Sequence, residues 1–232
     1  MVINQKRQTI FIHIPKTAGE SISEVLNRDE SGISKPTPQE IKRILLPQNT
    51  INDLLGKHAT AMEIKDVVGQ KIFNAYFKFV IIRNPWDQVA SFYNHLRKPL
   101  YLPAYKGKLL HPYNACKTAL THNFKDWVIE VYEKHQFQDE MCREKHPLNH
   151  FKNQHEWFYD NHGKSLVNYI GRYESLYEDL AYISSKTGCD FTNMSMNNKS
   201  QREQYKYYYD EQTIDIIARS FKKDIELFGY TF

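Results

Sequence analysis

Residues 9 to 26, Thr-Ile-Phe-Ile-His-Ile-Pro-Lys-Thr-Ala-Gly-Glu-Ser-Ile-Ser-Glu-Val-Leu, constrain the fold more than any other stretch. They run from an apolar, β-branched strand at Ile10 to Ile14, through a turn of small residues, into a helix with Ile22, Val25 and Leu26 at helical spacing. Gly19 is expected to permit a tight turn. The first amides of the helix have no acceptor within it, and they point towards the turn with the positive end of the helix dipole. Lys16 adds a full charge there, and the hydroxyls of Thr17 and Ser21 add donors, so the junction can cradle a phosphate. It is not a Walker A loop, in which the lysine follows the second glycine; here Lys16 precedes Gly19. A plain strand-to-helix connection with a solvent-facing lysine shares this local pattern, so the rest of the chain has to decide.

A second junction of the same kind lies downstream. The spacing predicts a helix over Ala61 to Val68, closed by Gly69 as a left-handed cap, and then a strand over Phe73 to Ile82. The run Phe79-Val80-Ile81-Ile82 is apolar on both faces, as a central parallel strand requires. It leads into Arg83-Asn84-Pro85-Trp86, where Asn84 can cap a helix and Pro85 suits its first turn. Ligands of open α/β sheets bind beyond the carboxyl ends of strands, so Lys16 and Arg83 are expected to face one crevice. Two anion-binding strand ends suit a ligand with phosphates at two places. A surface salt bridge is the other reading of Arg83.

Length and composition narrow the class. The 232 residues suffice for one well-buried α/β domain. A net charge of +4 and a pI near 8.7 suit an anionic small ligand or acidic acceptor, and the dispersed basic residues do not form a nucleic-acid stripe. Cys116, Cys142 and Cys189 lack C-x-x-C spacing, which favours buried thiols and a reducing compartment over a disulfide framework or zinc knuckle. No stretch reaches the length of a membrane span, and the first residues lack the apolar core of a signal peptide. The expected location is the cytoplasm.

The remaining chain reads as a loop over Asp29 to Pro38, a short helix from Pro38, and an irregular stretch at 98 to 121 rich in Pro, Tyr and Lys. An amphipathic helix is expected over Phe124 to His135, a polar loop over Gln138 to Asn149 and a short aromatic helix over Gln154 to Asp160. A third strand over Leu166 to Ile170 leads to Gly171-Arg172, a helix spans Leu176 to Thr187 before Gly188, and a polar loop covers Phe191 to Arg202. One long helix is expected over Asp210 to Phe228, closed by Gly229.

Together, I-H-I-P-K-T-A-G-x-S at 12 to 21, F-K-F-V-I-I-R-N-P-W-D at 77 to 87 followed by Ser91 and Tyr93, and I-G-R-Y-E-S-L at 170 to 176 resemble the sulfotransferase superfamily. The nearest group is that of the carbohydrate sulfotransferases of the heparan-sulfate 2-O type and their bacterial relatives. The tail, N-K-S-x-R-E-x-Y-x-x-Y-Y and then D-I-E-L-F-G-Y-T-F, is similar as well, so the resemblance covers most of the chain in order. It implies a P-loop-like, three-layer α/β fold with a central parallel sheet flanked by helices. It also implies a single domain over 1 to 232, with an acceptor-side insertion of helix and loop at 98 to 160 over the cleft.

The family's donor is 3'-phosphoadenosine-5'-phosphosulfate (PAPS), which carries phosphate at two ends of one nucleoside. By resemblance, the first loop holds the 5'-phosphosulfate through Lys16, Thr17, Ala18, Gly19, Glu20 and Ser21. Arg83 and Ser91 hold the 3'-phosphate, and Lys199, Ser200 and Arg202 close over the nucleotide. Glu20 departs from the family, where a small hydroxyl residue is common; a carboxylate there must turn from the phosphates or serve the acceptor side. His58 stands where this group carries a proposed catalytic base, with Glu20 and Glu63 in reserve. The implied reaction is in-line transfer of a sulfuryl group to an acceptor hydroxyl, expected on a saccharide, with His58 taking the proton and Lys16 and the helix amides stabilising the departing phosphate. The product is adenosine 3',5'-bisphosphate, and no metal is expected. Two other classes share these features: a magnesium- and ATP-dependent sugar or small-molecule kinase, and a non-catalytic nucleotide- or glycan-binding protein. Tyr101, Tyr105 and Tyr113 can stack on sugars or simply pack.

Overall fold

A computed structural model of the chain describes residues 1–30, 58–97, 104–105, 108–109, 114–134, 152–194 and 204–232. Along the chain these form strands β1 (Val2–Asn4) and β2 (Thr9–Ile12), helix α1 (Gly19–Glu30), helix α2 (Ala61–Ala75), strand β3 (Phe77–Ile82) and helix α3 (Pro85–Leu96). Strands β4 (Ala104–Tyr105) and β5 (Lys108–Leu109) and helices α4 (Asn114–Thr121) and α5 (Phe124–Val128) follow, then β6 (Tyr169–Arg172), α6 (Leu176–Thr187), α7 (Glu211–Ser220) and α8 (Lys222–Phe228). The contacts divide the chain into two compact units, one of residues 1–82 and 154–198, the other of residues 83–153 and 199–232.

The first unit is built on a four-stranded sheet of order β1-β2-β3-β6, in which β2, β3 and β6 are parallel and β1 runs antiparallel to β2. β3 lies inside the sheet, pairing Phe79 with Phe11 on one side and with Tyr169 on the other, as its two-faced apolar run requires. Phe11, Phe79 and Ile81 point to one face and pack with Ile22 and Leu26 of α1 and Leu176, Leu180 and Ile183 of α6. Asn4, fully buried, ties β1 to α1: its side-chain amide donates to the Leu26 carbonyl at 2.9 Å and its oxygen accepts from the Arg7 amide at 2.8 Å. The sheet is thus flanked by helices, and its three parallel strands end at one edge, where β2 leads into the small-residue turn.

Two expectations for this unit are revised. The strand expected from Phe73 begins at Phe77, because α2 continues through Gly69 to Ala75. Gly69 leaves helical geometry, with φ 80°, and the helix then resumes. The cause is tertiary: the buried Lys78 ammonium donates to the carbonyls of Phe73 and Tyr76, at 2.8 and 2.7 Å, and so satisfies the open end of a helix that sequence alone terminates earlier. Burial pushes the Lys78 pKa down. The third strand covers Tyr169–Arg172, a little later than expected, and α6 matches its expected bounds with Gly188 in a left-handed cap.

In the second unit, α5 passes into a π-helical turn at Ile129–Glu133. The long C-terminal helix is two helices, because Phe221, 1% exposed and packed on Tyr132, leaves helical geometry between α7 and α8. Asp210 caps α7 reciprocally with Thr213, and Gly229 closes α8. The expected short helix from Pro38, the polar loop 138–149 and most of the stretch 98–113 lie outside the described residues. Among the described residues, no helix is long and apolar enough to cross a membrane.

Candidate functional site

The turn between β2 and α1 takes its shape from two residues that are not glycine. Lys16 and Ala18 are left-handed, with φ 66° and 65°, while Thr17 between them is not. Such a conformation costs a residue with a Cβ about 1–2 kcal/mol, and it persists only where the surroundings impose it. Alternating handedness turns successive amides towards one concave side, the backbone geometry that binds anions. The first helical bond, from the Ile22 amide to the Ala18 carbonyl, places this concavity at the N-terminus of the twelve-residue α1.

Side chains fix the turn from below. The Thr17 hydroxyl, fully buried, donates to the Ile14 carbonyl at 2.9 Å; it is a strut of the loop, whereas the sequence reading gave that hydroxyl to a ligand. Ser21 is buried, Lys16 and Ala18 are half-buried, and Glu20 is exposed in the first turn of α1, where a carboxylate complements the helix dipole. Gly19 itself does not have a positive φ. It is glycine because a Cβ there would lie 1.9 Å from Cδ2 of His13 and 2.1 Å from its Nε2.

His58 belongs to the same unit. Its Nδ1 lies 2.9 Å from the His13 carbonyl oxygen, and its ring is 4.5 Å from the His13 ring and 6.2 Å from that of the buried Trp157. A carbonyl only accepts, so Nδ1 carries the proton and Nε2 of the neutral ring carries the lone pair. Two residues later Thr60 caps α2, and the Glu63 carboxylate accepts from the Thr60 amide at 2.6 Å and from its hydroxyl at 2.8 Å. Glu63, a reserve base in the sequence reading, is therefore part of a capping box.

Arg83 and Ser91 lie in the second unit. The Arg83 guanidinium is 7% exposed and holds one oxygen of Asp87 through Nε at 2.7 Å and Nη2 at 2.6 Å. Asn84 caps α3 by accepting from the Trp86 amide at 3.1 Å, and its side-chain amide donates to the Thr231 carbonyl at 2.8 Å. The Trp86 carbonyl accepts the Tyr209 hydroxyl at 2.8 Å. Ser91 is half-buried on α3. Lys199, Ser200 and Arg202 lie outside the described residues. Among the described residues, no three His, Cys, Asp or Glu side chains are grouped to hold a metal ion.

Sequence reasoning missed His13 and Asp87. The signal for Asp87 was its helical spacing of four from Arg83. For His13 it was a polar residue at the end of an otherwise apolar strand.

Comparison with known proteins adds what geometry alone does not. Carbohydrate sulfotransferase 10 of Xenopus laevis is 23% identical over 262 aligned positions, covering 98% of this chain and 66% of the relative. The human protein of that name is 22% identical over 260 positions, covering 97% and 65%. The chain thus spans just under two thirds of the length of these relatives. An uncharacterised protein of Archaeoglobus fulgidus is 27% identical over 128 positions, covering 55% of this chain and 81% of its own. No solved structure matches. The sequence profile of the Sulfotransferase family matches residues 1–231, and the chain belongs to that family.

Proposed function

We propose that this chain transfers a sulfuryl group from 3'-phosphoadenosine-5'-phosphosulfate to a hydroxyl of a carbohydrate, acting as one catalytic domain. The observation that carries the reading is the Lys16–Gly19 nest at the N-terminus of α1, in the same unit as a histidine whose accepting nitrogen is set by the His13 carbonyl. The turn suits an anion: Lys16 and Ala18 at positive φ give it the alternating backbone of an anion-binding nest at the start of α1. Family membership supports sulfuryl transfer, and the names of the carbohydrate sulfotransferase relatives support a saccharide acceptor; the donor is the one the sequence resemblance implies.

When bound, the donor supplies an activated sulfur attached to the 5'-phosphate. Lys16 and the amides of residues 17 to 21 hold that phosphate and stabilise the charge it gains. His58 Nε2 takes the acceptor hydroxyl's proton as the acceptor oxygen bonds to sulfur. The bond from sulfur to the phosphate oxygen breaks, its electron pair stays on that oxygen, and adenosine 3',5'-bisphosphate departs. Arg83 and Ser91 hold the 3'-phosphate, Arg83 as a charge-assisted donor already aligned by Asp87. Lys199, Ser200 and Arg202 complete the donor site.

The test is turnover of the donor with neutral and anionic oligosaccharides in EDTA, following bisphosphate release and sulfated product together. Equal amounts of both support the proposal. Phosphorylation that requires ATP and magnesium would replace it with a kinase, and donor binding without turnover across the panel would replace it with a binding protein.

A further inference from the structure

His13 touches both halves of the proposed chemistry. It follows β2 and is 3% exposed, a buried polar residue whose sequence neighbours Ile12 and Ile14 are fully buried. On one side its ring stacks on Phe11, with centroids 5.7 Å apart and planes at 20°. On another, the Cδ2–Nε2 edge fills the space where a side chain at residue 19 would begin. The third neighbour is His58, whose ring is tilted by 59° at 4.5 Å and whose Nδ1–H goes to the His13 carbonyl.

We propose that His13 is a positioning residue for the transfer, its imidazole setting the separation between the His58 base and the Gly19 end of the anion turn. The proposal rests on the sulfotransferase reading. In-line displacement places the base on the acceptor side of sulfur and the amides on the leaving side, so their separation must match the length of the reacting system. A misplacement of about 1 Å costs about 10²-fold in rate. Packing against Phe11 alone does not call for histidine here, since an apolar side chain packs there without burying a polar group. What the site holds instead is a flat five-membered ring, narrow enough for the Gly19 backbone to lie against its edge and for His58 to stand beside it. Gly19 is then the complement of His13.

The contact is tested without activity, by denaturant midpoints of the wild type, Gly19→Ala, His13→Ala and the double variant. Gly19→Ala is expected to lower the midpoint strongly in the wild type and much less in the His13→Ala background, because the ring it collides with is gone. Additive losses would overturn the contact. The role is tested by turnover of the full chain: His13→Ala is expected to lose about 10²-fold in kcat with acceptor KM unchanged. Free imidazole, which fits the space left, should restore part of that kcat without altering KM. If His13→Ala does not fold, His13→Phe keeps a flat ring of the wrong size and should fold with kcat reduced at least tenfold. Wild-type kcat in either folded variant would overturn the role. A wild type that turns over no donor would overturn the sulfotransferase reading itself, and the midpoints would still report on the contact.

Discussion

The Nδ1–H of His58 points at the carbonyl oxygen of His13, 2.9 Å away, and this bond decides which nitrogen of His58 can accept a proton. Substituting His58→Ala is expected to lower kcat by about 10²–10⁴-fold, the usual contribution of a placed general base. Affinity for adenosine 3',5'-bisphosphate should stay at the wild-type value, because the cradle is made by residues 16 to 21. Single-turnover kinetics with calorimetry of product binding checks this, and retained turnover would remove His58 from the mechanism.

A side-chain methyl is unfavourable at both residue 18 and residue 19, by backbone strain at Ala18 and by collision with His13 at Gly19. Ala18 is held at φ 65°, so Ala18→Gly relieves about 1–2 kcal/mol of backbone strain, offset by about 0.4–1 kcal/mol of added freedom in the unfolded chain. The expected net effect is a gain of up to about 1.6 kcal/mol in chemical denaturation. A loss of more than that amount would show that residue 18 is not left-handed.

The side chains of Arg83 and Asp87 are 7% and 14% exposed and pair at 2.6 Å. Removing the carboxylate alone leaves a buried guanidinium without that partner, so Asp87→Ala should cost about 3–5 kcal/mol in stability. Asp87→Asn, which keeps an acceptor oxygen, should cost less. Equal and small losses in the two variants would show that the pair is not buried in solution.

Asp210 makes a pH-dependent contribution. The Lys125 ammonium first, then the Thr213 amide and hydroxyl, hold its carboxyl down at about 2. A carboxyl lowered in the folded state stabilises it above the unfolded value of about 3.9 and loses that contribution as pH falls from about 4 towards 2. The Lys125 and Asp210 side chains are 47% and 44% exposed, so the ion pair is screened and the cap is the larger part. Asp210→Ala should therefore cost about 1 kcal/mol at pH 7, with the difference from wild type shrinking below pH 4. Asp210→Asn, a good cap without the charge, should lie near wild type at pH 7.

Several elements were legible because the signal is local. The apolar run Phe79 to Ile82 announced a strand inside the sheet, and Leu176 to Thr187 before Gly188 announced α6 to the residue. What escaped was set by distant partners. α2 outlasts Gly69 because Lys78 reaches back to its last carbonyls, and the C-terminal helix breaks at Phe221 because that ring is buried against Tyr132. β1, three residues long, is too short to show a period. At the site, neither the handedness of the turn nor the parts played by His13 and Asp87 were legible. The tight turn was expected from Gly19, whereas Lys16 and Ala18 carry the positive φ and Gly19 yields space to His13.

The central claim is a donor site for a nucleotide with phosphates at 5' and 3'. Calorimetric titration with adenosine 3',5'-bisphosphate, AMP and ATP in EDTA tests it most directly, in the wild type and in Arg83→Ala. The account predicts tight binding of the bisphosphate, weaker binding of AMP, and an Arg83→Ala variant that no longer distinguishes the two. Binding of ATP in preference to the bisphosphate, or binding only once magnesium is restored, would contradict it.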